Sequence, residues 1–140
     1  MNYHRWVSEG ISRRHLRVGF WALGVFVLLG ALLEGLHATK SGFYLDEGNE
    51  TRRLLWRLSH AHGTLLALVN VVYGLTVDRR PEAASALASR CLLAALILLP
   101  LGFFAGGIDA RGGDPGLGAA LIPAGALALV IGVVKIARSL

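Results

Sequence analysis

The sequence contains a single cysteine, Cys91, and few charged residues. One cysteine excludes a disulfide within the chain and any metal site built from several cysteines. Asp, Glu, Lys and Arg make up only 16% of the residues. A soluble helical bundle needs polar side chains along the outer face of its helices, so the shortage of charge argues against a soluble protein.

The sequence consists largely of long apolar segments, without the polar faces that soluble helices have. Hydrophobic residues make up 54% of the 140 residues, and the mean hydropathy is +0.57. Four apolar blocks each approach the roughly 20 residues that a bilayer span requires: residues 18–38, 54–77, 83–105 and 116–137. The pattern predicts an all-α, integral-membrane four-helix bundle, with a basic interfacial tail at 1–17 followed by one four-span domain at 18–138. We expect no signal peptide, because the first apolar run is too long for one.

The basic residues are unequally divided between the two sides that four spans create. Nine lie on the side of the termini: Arg5, Arg13, Arg14, Arg17, Arg79, Arg80, Arg90, Lys135 and Arg138. Five lie on the other: Lys40, Arg52, Arg53, Arg57 and Arg111. Because cytoplasmic loops are enriched in Lys and Arg, this bias predicts cytoplasmic termini in a bacterial inner membrane. Anionic lipid headgroups explain the net charge of +5 better than nucleic acid does, since the basic residues flank apolar spans.

Glutamate and histidine within the apolar blocks are the candidate functional residues, since ionisable side chains are costly in lipid. Glu34 and His37 lie near the outer end of the first span, and His60 and His62 near the outer start of the second. If these two helices are antiparallel neighbours, the pair on the first span and the pair on the second lie at a similar depth in the bilayer. Asp109 follows the third span and could close over the group.

The two histidines of the second span cannot share one centre on a regular helix, because two residues are about 200° apart. The side of the helix that carries His60 has small residues, whereas the side of His62 is bulky and apolar. We therefore expect His60 to form the site with Glu34 and His37, with His62 as a second, separate contact and Asp109 in support.

Three kinds of chemistry suit this group. Imidazole and carboxylate bind transition metals such as zinc, copper or iron, a histidine on a glycine-lined face can be an axial haem ligand, and the pair can relay protons. The string RLSHAHGTLLALVNVVYG is similar to histidine-bearing helices of haem-containing bacterial oxidase subunits. A small metal- or haem-binding membrane protein for redox or metal handling is the leading hypothesis.

Two other functions and a structural interpretation remain open. The chain could be a non-catalytic accessory subunit of a larger membrane complex, or an oligomeric proton-coupled transporter or channel. Its partners would then be the bilayer and other membrane subunits or further copies of itself. Alternatively, His60 could hydrogen-bond Glu34 only to hold two helices together. For Asn70 we expect an interhelical hydrogen bond.

Overall fold

The computed structural model describes residues 3–140, except for the side chains of residues 3–5 and 47. The described chain is all-helical, and four of its helices are long and apolar enough to cross a membrane, as predicted. They are α1 (Tyr3–Ala38), α2 (Glu50–Arg79), α3 (Ala86–Ile108) and α4 (Leu121–Ala137). Short 3-10 helices lie in the connections at Glu47–Asn49, Pro81–Ala83 and Leu117–Ala120.

The first helix begins well before the first predicted span, which starts at residue 18. Residues 3–17, which fall in the predicted basic interfacial tail, are helical and continue into the first span without a break, so that α1 has 36 residues. At the rise of an α-helix its length is about 54 Å. Residues 1–2 and the side chain of Arg5 lie outside the described residues. Buried side chains at Ser8, Ile11 and His15 recur every three or four residues and explain the continuity, because they form one face that packs against the other helices.

The helices are arranged in series. α1 packs against α2, α2 against α3 and α3 against α4, whereas α1 and α4 form no comparable interface among the described residues. In the most apolar stretch of each helix, 44% of the residues of α2 and α3 are buried, compared with 11% in α1 and in α4. α2 and α3 are therefore the centre of the fold, and α1 and α4 are its two outer layers.

Glycines allow α1 and α2 to approach closely. A Cβ atom at Gly19 would lie 2.7 Å from Cγ2 of Val71, and Gly63, Gly74 and Gly30 likewise face Phe26, Leu16 and His60. In these four pairs the residue numbers add up to 89 or 90, which defines an antiparallel register between the two helices. Each large side chain fills the space that a glycine leaves on the opposite helix, the usual means of tight packing between membrane helices.

Aromatic side chains close the end of the fold where α1 finishes and α2 begins. Trp56 stacks on Phe104, with ring centroids 5.3 Å apart, and its Nε1–H donates to the Phe104 carbonyl at 3.1 Å. Tyr44 stacks on Trp56 from the first loop, at 6.3 Å. Arg52 donates to the Phe43 carbonyl at 3.0 Å, and its guanidinium lies 4.3 Å from the centre of the Phe43 ring. The loop at 39–49 is thereby fixed against α2 and α3.

Candidate functional site

His60 is inserted between α2 and α1. Its Nδ1 atom is 2.8 Å from the carbonyl oxygen of Phe26, and its ring occupies the space that a side chain at Gly30 would need. Because a carbonyl oxygen only accepts, Nδ1 carries the proton and donates, and in the neutral ring Nε2 is then the atom with the lone pair. Among the described residues, Nε2 has no hydrogen-bond partner.

Glu34 and His37 do not meet His60. Both side chains are exposed. His60 lies at the level of Gly30. Along the helix axis, Glu34 is therefore displaced from that level by about 6 Å and His37 by about 10 Å. In the described part of the chain, neither Glu34 nor His37 forms a side-chain hydrogen bond or an ion pair. The expected contact between His60 and Glu34 is therefore not formed.

His62 lies on the opposite side of α2, as its separation of two residues from His60 requires. Its Nδ1 atom donates to the Leu58 carbonyl at 2.9 Å, and its ring packs 4.7 Å from the ring of Phe103 on α3. Asp109 is exposed at the end of α3. Across the residues that the structure describes, no group of three His, Cys, Asp or Glu side chains could hold a metal ion.

A second polar group, centred on His15, lies at the other end of the fold. Its Nδ1 atom is 2.7 Å from Oδ1 of Asn70, and its Nε2 atom is 2.8 Å from Oγ of Ser89. The imidazole and the ring of Tyr73 pack edge to face, with ring centroids 4.8 Å apart and planes at 85°. His15, Asn70 and Ser89 are all buried, with at most 1% of each residue exposed. We call these three residues the His15 network.

The hydrogen bonds of the His15 network have a defined direction. Asn70 donates from Nδ2 to the carbonyl of Leu66 at 2.8 Å, which leaves its Oδ1 as the acceptor that faces His15. His15 therefore donates from Nδ1, and its Nε2 accepts the hydroxyl proton of Ser89. The serine and histidine are ordered as in a hydrolytic Ser-His-Asp triad, but the amide of Asn70 stands where such a triad has a carboxylate. Complete burial keeps a substrate away from Ser89, so the arrangement is suited to joining helices.

The His15 network connects three helices, since its members come from α1, α2 and α3. The interhelical role expected for Asn70 is confirmed. Hydrogen bonds of this kind contribute on the order of 0.6 kcal/mol each in a membrane. Leaving one member without its partner costs about 1–3 kcal/mol, because a buried polar group is then unsatisfied. Sequence analysis did not identify His15, which falls within the segment predicted to be a tail.

The fold and its polar groups define a class: a small polytopic membrane protein, with four candidate spanning helices and a buried polar network that joins three of them. Comparison of the chain with protein-family models, with curated proteins and with solved structures found no match.

Proposed function

We propose that this protein is an accessory subunit of a larger membrane assembly, with both termini in the cytoplasm and its helices in a bacterial inner membrane. It docks on its partner through the side of α1 that faces away from α2. The observation that carries the proposal is the one-sided packing of α1. Only 11% of its most apolar stretch is buried, although it is the longest helix of the chain.

The glycines of the four helices differ in a way that supports this docking side. Every glycine within α2, α3 and α4 has a neighbouring atom within 4 Å of its Cβ position, as Gly125 has in Leu99. On α1, by contrast, Gly10, Gly24 and Gly35 have none. At about 100° per residue these three lie within about 40° of one another, opposite the side that packs on α2. Small residues on an exposed side let a second helix approach closely.

Glu34 adds a polar contact point. Its carboxyl group is exposed within a candidate span, and no ion pair or hydrogen bond satisfies it among the described residues. An ionisable side chain in this position is costly in lipid and is usually paired. A hydrogen-bond donor on a partner helix would supply that pairing at the edge of the docking side, since Glu34 lies about 100° around α1 from Gly35.

The interior polar residues support a scaffold role. His15 uses both ring nitrogens in bonds to other helices, and His60 and His62 each use Nδ1 on a backbone carbonyl. The bonds of His15 and His60 fix helices relative to one another. A rigid core of this kind presents α1 in a constant position.

Site-specific cross-linking in native membranes tests the proposal. A photoreactive residue at Leu28, in the middle of the exposed side of α1, should yield one discrete protein adduct. The same residue at Leu127 on α4, which is comparably exposed (63%, against 71% for Leu28), is the matched control. Ala31→Trp should abolish the Leu28 adduct without changing the fold. Adducts to lipid alone from both positions would exclude docking through α1.

Haem or transition-metal binding is the second candidate. Two atoms favour it, one on the His60 ring and one on a neighbouring side chain. Nε2 of His60 keeps an unused lone pair while Nδ1 is held by a backbone carbonyl, the usual arrangement of a histidine that binds a metal. Thr64, one turn further on the same side of α2, has a buried hydroxyl without a hydrogen-bond partner. His60 would be the ligand; Glu34, His37, His62 and Asp109 lie outside this immediate group.

An absorption spectrum and a metal analysis of the purified protein test the second candidate. Haem or metal bound through His60 should be lost in His60→Ala and retained in His62→Ala, with both variants checked for helix content by circular dichroism. Retention of the cofactor in both variants would exclude His60 as its ligand. A wild-type protein without haem or stoichiometric metal would leave His60 with its packing role.

A further inference from the structure

A groove with a basic rim lies at the end of α2. It has a volume of about 700 Å³ and is lined by Val72, Leu75, Thr76, Arg79, Arg80 and Leu140. Val72 and Leu75 are about half exposed and form its apolar wall, and the two arginines stand at its outer end. From Val72 to Arg79 the wall extends over about 10 Å along the helix.

A second groove of similar composition lies on α1. Its volume is about 460 Å³, and it is lined by Arg13, Leu16, Arg17, Phe20 and Trp21. Leu16 packs on Gly74, so the antiparallel register places Arg17 and Arg13 at the levels of residues 73 and 77 on α2. Both grooves are therefore at the same end of the fold, and both have two arginines next to an apolar wall.

The arginines of the groove on α2 are available to a ligand. Asp78 and Glu82 are close to Arg79 and Arg80 in sequence, yet within the described chain neither forms an ion pair with them. The hydroxyl of Thr76 is already used by the Val72 carbonyl, at 2.8 Å. This groove therefore presents guanidinium groups as its free hydrogen-bond donors.

We propose that the two grooves are binding sites for anionic phospholipids. The paired guanidinium groups hold the phosphate, which they match in charge and in the geometry of their donors. The acyl chains lie along the apolar walls, against Val72 and Leu75 in one groove and Phe20 and Trp21 in the other. A free phosphate ion would use only the arginines, so the apolar walls favour a lipid. The inference depends on the membrane location of the protein. On α1, Arg17 and Trp21 lie on the same side as the exposed glycines, so a lipid bound in that groove would form part of the surface that faces a docked partner.

Native mass spectrometry of the full chain in detergent, supplied with phosphatidylglycerol or phosphatidylcholine, tests the proposal. We expect two phosphatidylglycerol molecules to be retained preferentially. Arg79→Gln with Arg80→Gln should lose one of them, and Arg13→Gln with Arg17→Gln the other. At about a fivefold effect for each basic residue close to a headgroup, the site that loses two arginines should bind roughly 30-fold less tightly.

The control is Arg90→Gln with Arg138→Gln, which removes the same charge at exposed positions that line neither groove. It should retain both lipid molecules. Equal retention of the two lipids by the wild-type chain, or equal loss in the control, would overturn the proposal. So would displacement of phosphatidylglycerol by excess inorganic phosphate, since the apolar walls would then contribute nothing.

Discussion

The imidazole of His60 lies against the backbone of Gly30, so closely that a Cβ atom at Gly30 would be 2.5 Å from Cε1 of the ring. This contact sets the distance between α1 and α2 at that level. It also explains how a histidine is accommodated between two apolar helices, since the bare glycine leaves room for the ring and the Phe26 carbonyl accepts its proton.

Gly30→Ala should therefore destabilise the protein. The added methyl group overlaps the His60 ring, and we expect the free energy of unfolding to fall by about 1–3 kcal/mol. Gly24→Ala is the matched control on the same helix, because nothing lies within 4 Å of its Cβ position. It should be neutral or stabilising by up to about 1 kcal/mol. Reversible unfolding in mixed micelles measures both, and equal effects of the two changes would contradict the packing described.

His15 and Asn70 should be energetically coupled. A double-mutant cycle with His15→Ala and Asn70→Ala should give an interaction free energy of about 0.5–2 kcal/mol, because each single change leaves a buried partner unsatisfied. The free energy of unfolding of the four proteins gives this coupling. Strict additivity would show that the hydrogen bond between the two side chains contributes nothing.

The tautomers of three histidines follow from their acceptors. His15, His60 and His62 each donate from Nδ1 to an oxygen atom that accepts, so all three should carry the ring proton on Nδ1. Nitrogen NMR of selectively labelled protein distinguishes the two ring nitrogens. Exposed His37 is the internal control, and its ring should be found in both tautomers. A proton on Nε2 of His15 would reverse the direction assigned to the His15 network.

Trp56→Phe should loosen the aromatic end of the fold. The change keeps a stacked ring but removes the hydrogen bond from Nε1 to the Phe104 carbonyl, and such a bond is worth about 1 kcal/mol. Trp21→Phe is the control, since Trp21 is 75% exposed. The effect of that surface change should stay within about 0.5 kcal/mol. Hydrogen exchange of the amides in the 39–49 loop provides the local measurement. Unchanged protection in Trp56→Phe would mean that the loop is held by other contacts.

The four long apolar helices and the opposite placement of His60 and His62 could be predicted, because block length and a fixed angle per residue determine both. The predicted gathering of Glu34, His37 and His60 depended on the register between two helices. That register is set by which glycine faces which large side chain, and the sequence alone does not specify these pairs. Glu34 is one turn away from the level of His60 as a result.

The N-terminal part of α1 was predicted as a tail because its basic residues dominate the composition of 1–17. The spacing of the residues in this segment nevertheless indicated a helix with one buried side. Ser8, Ile11 or Ser12, His15 and Gly19 recur with helical spacing and continue the inner side of the span, whereas Arg13, Arg14 and Arg17 are exposed away from it. The overall composition of a segment does not distinguish the two sides of a helix. The buried histidine was therefore not separated from the exposed arginines around it.

The series arrangement of the helices has a consequence for the order of assembly. α1 and α2 can pair as soon as both are synthesised, since α1 packs mainly on α2. The hydroxyl group that His15 requires, however, is on Ser89, in a helix made later. α1 is synthesised before α3, yet it is therefore among the last elements to reach its final bonds, after α3 has been inserted beside α2. A fully bonded His15 thus occurs only in chains whose third helix is in place.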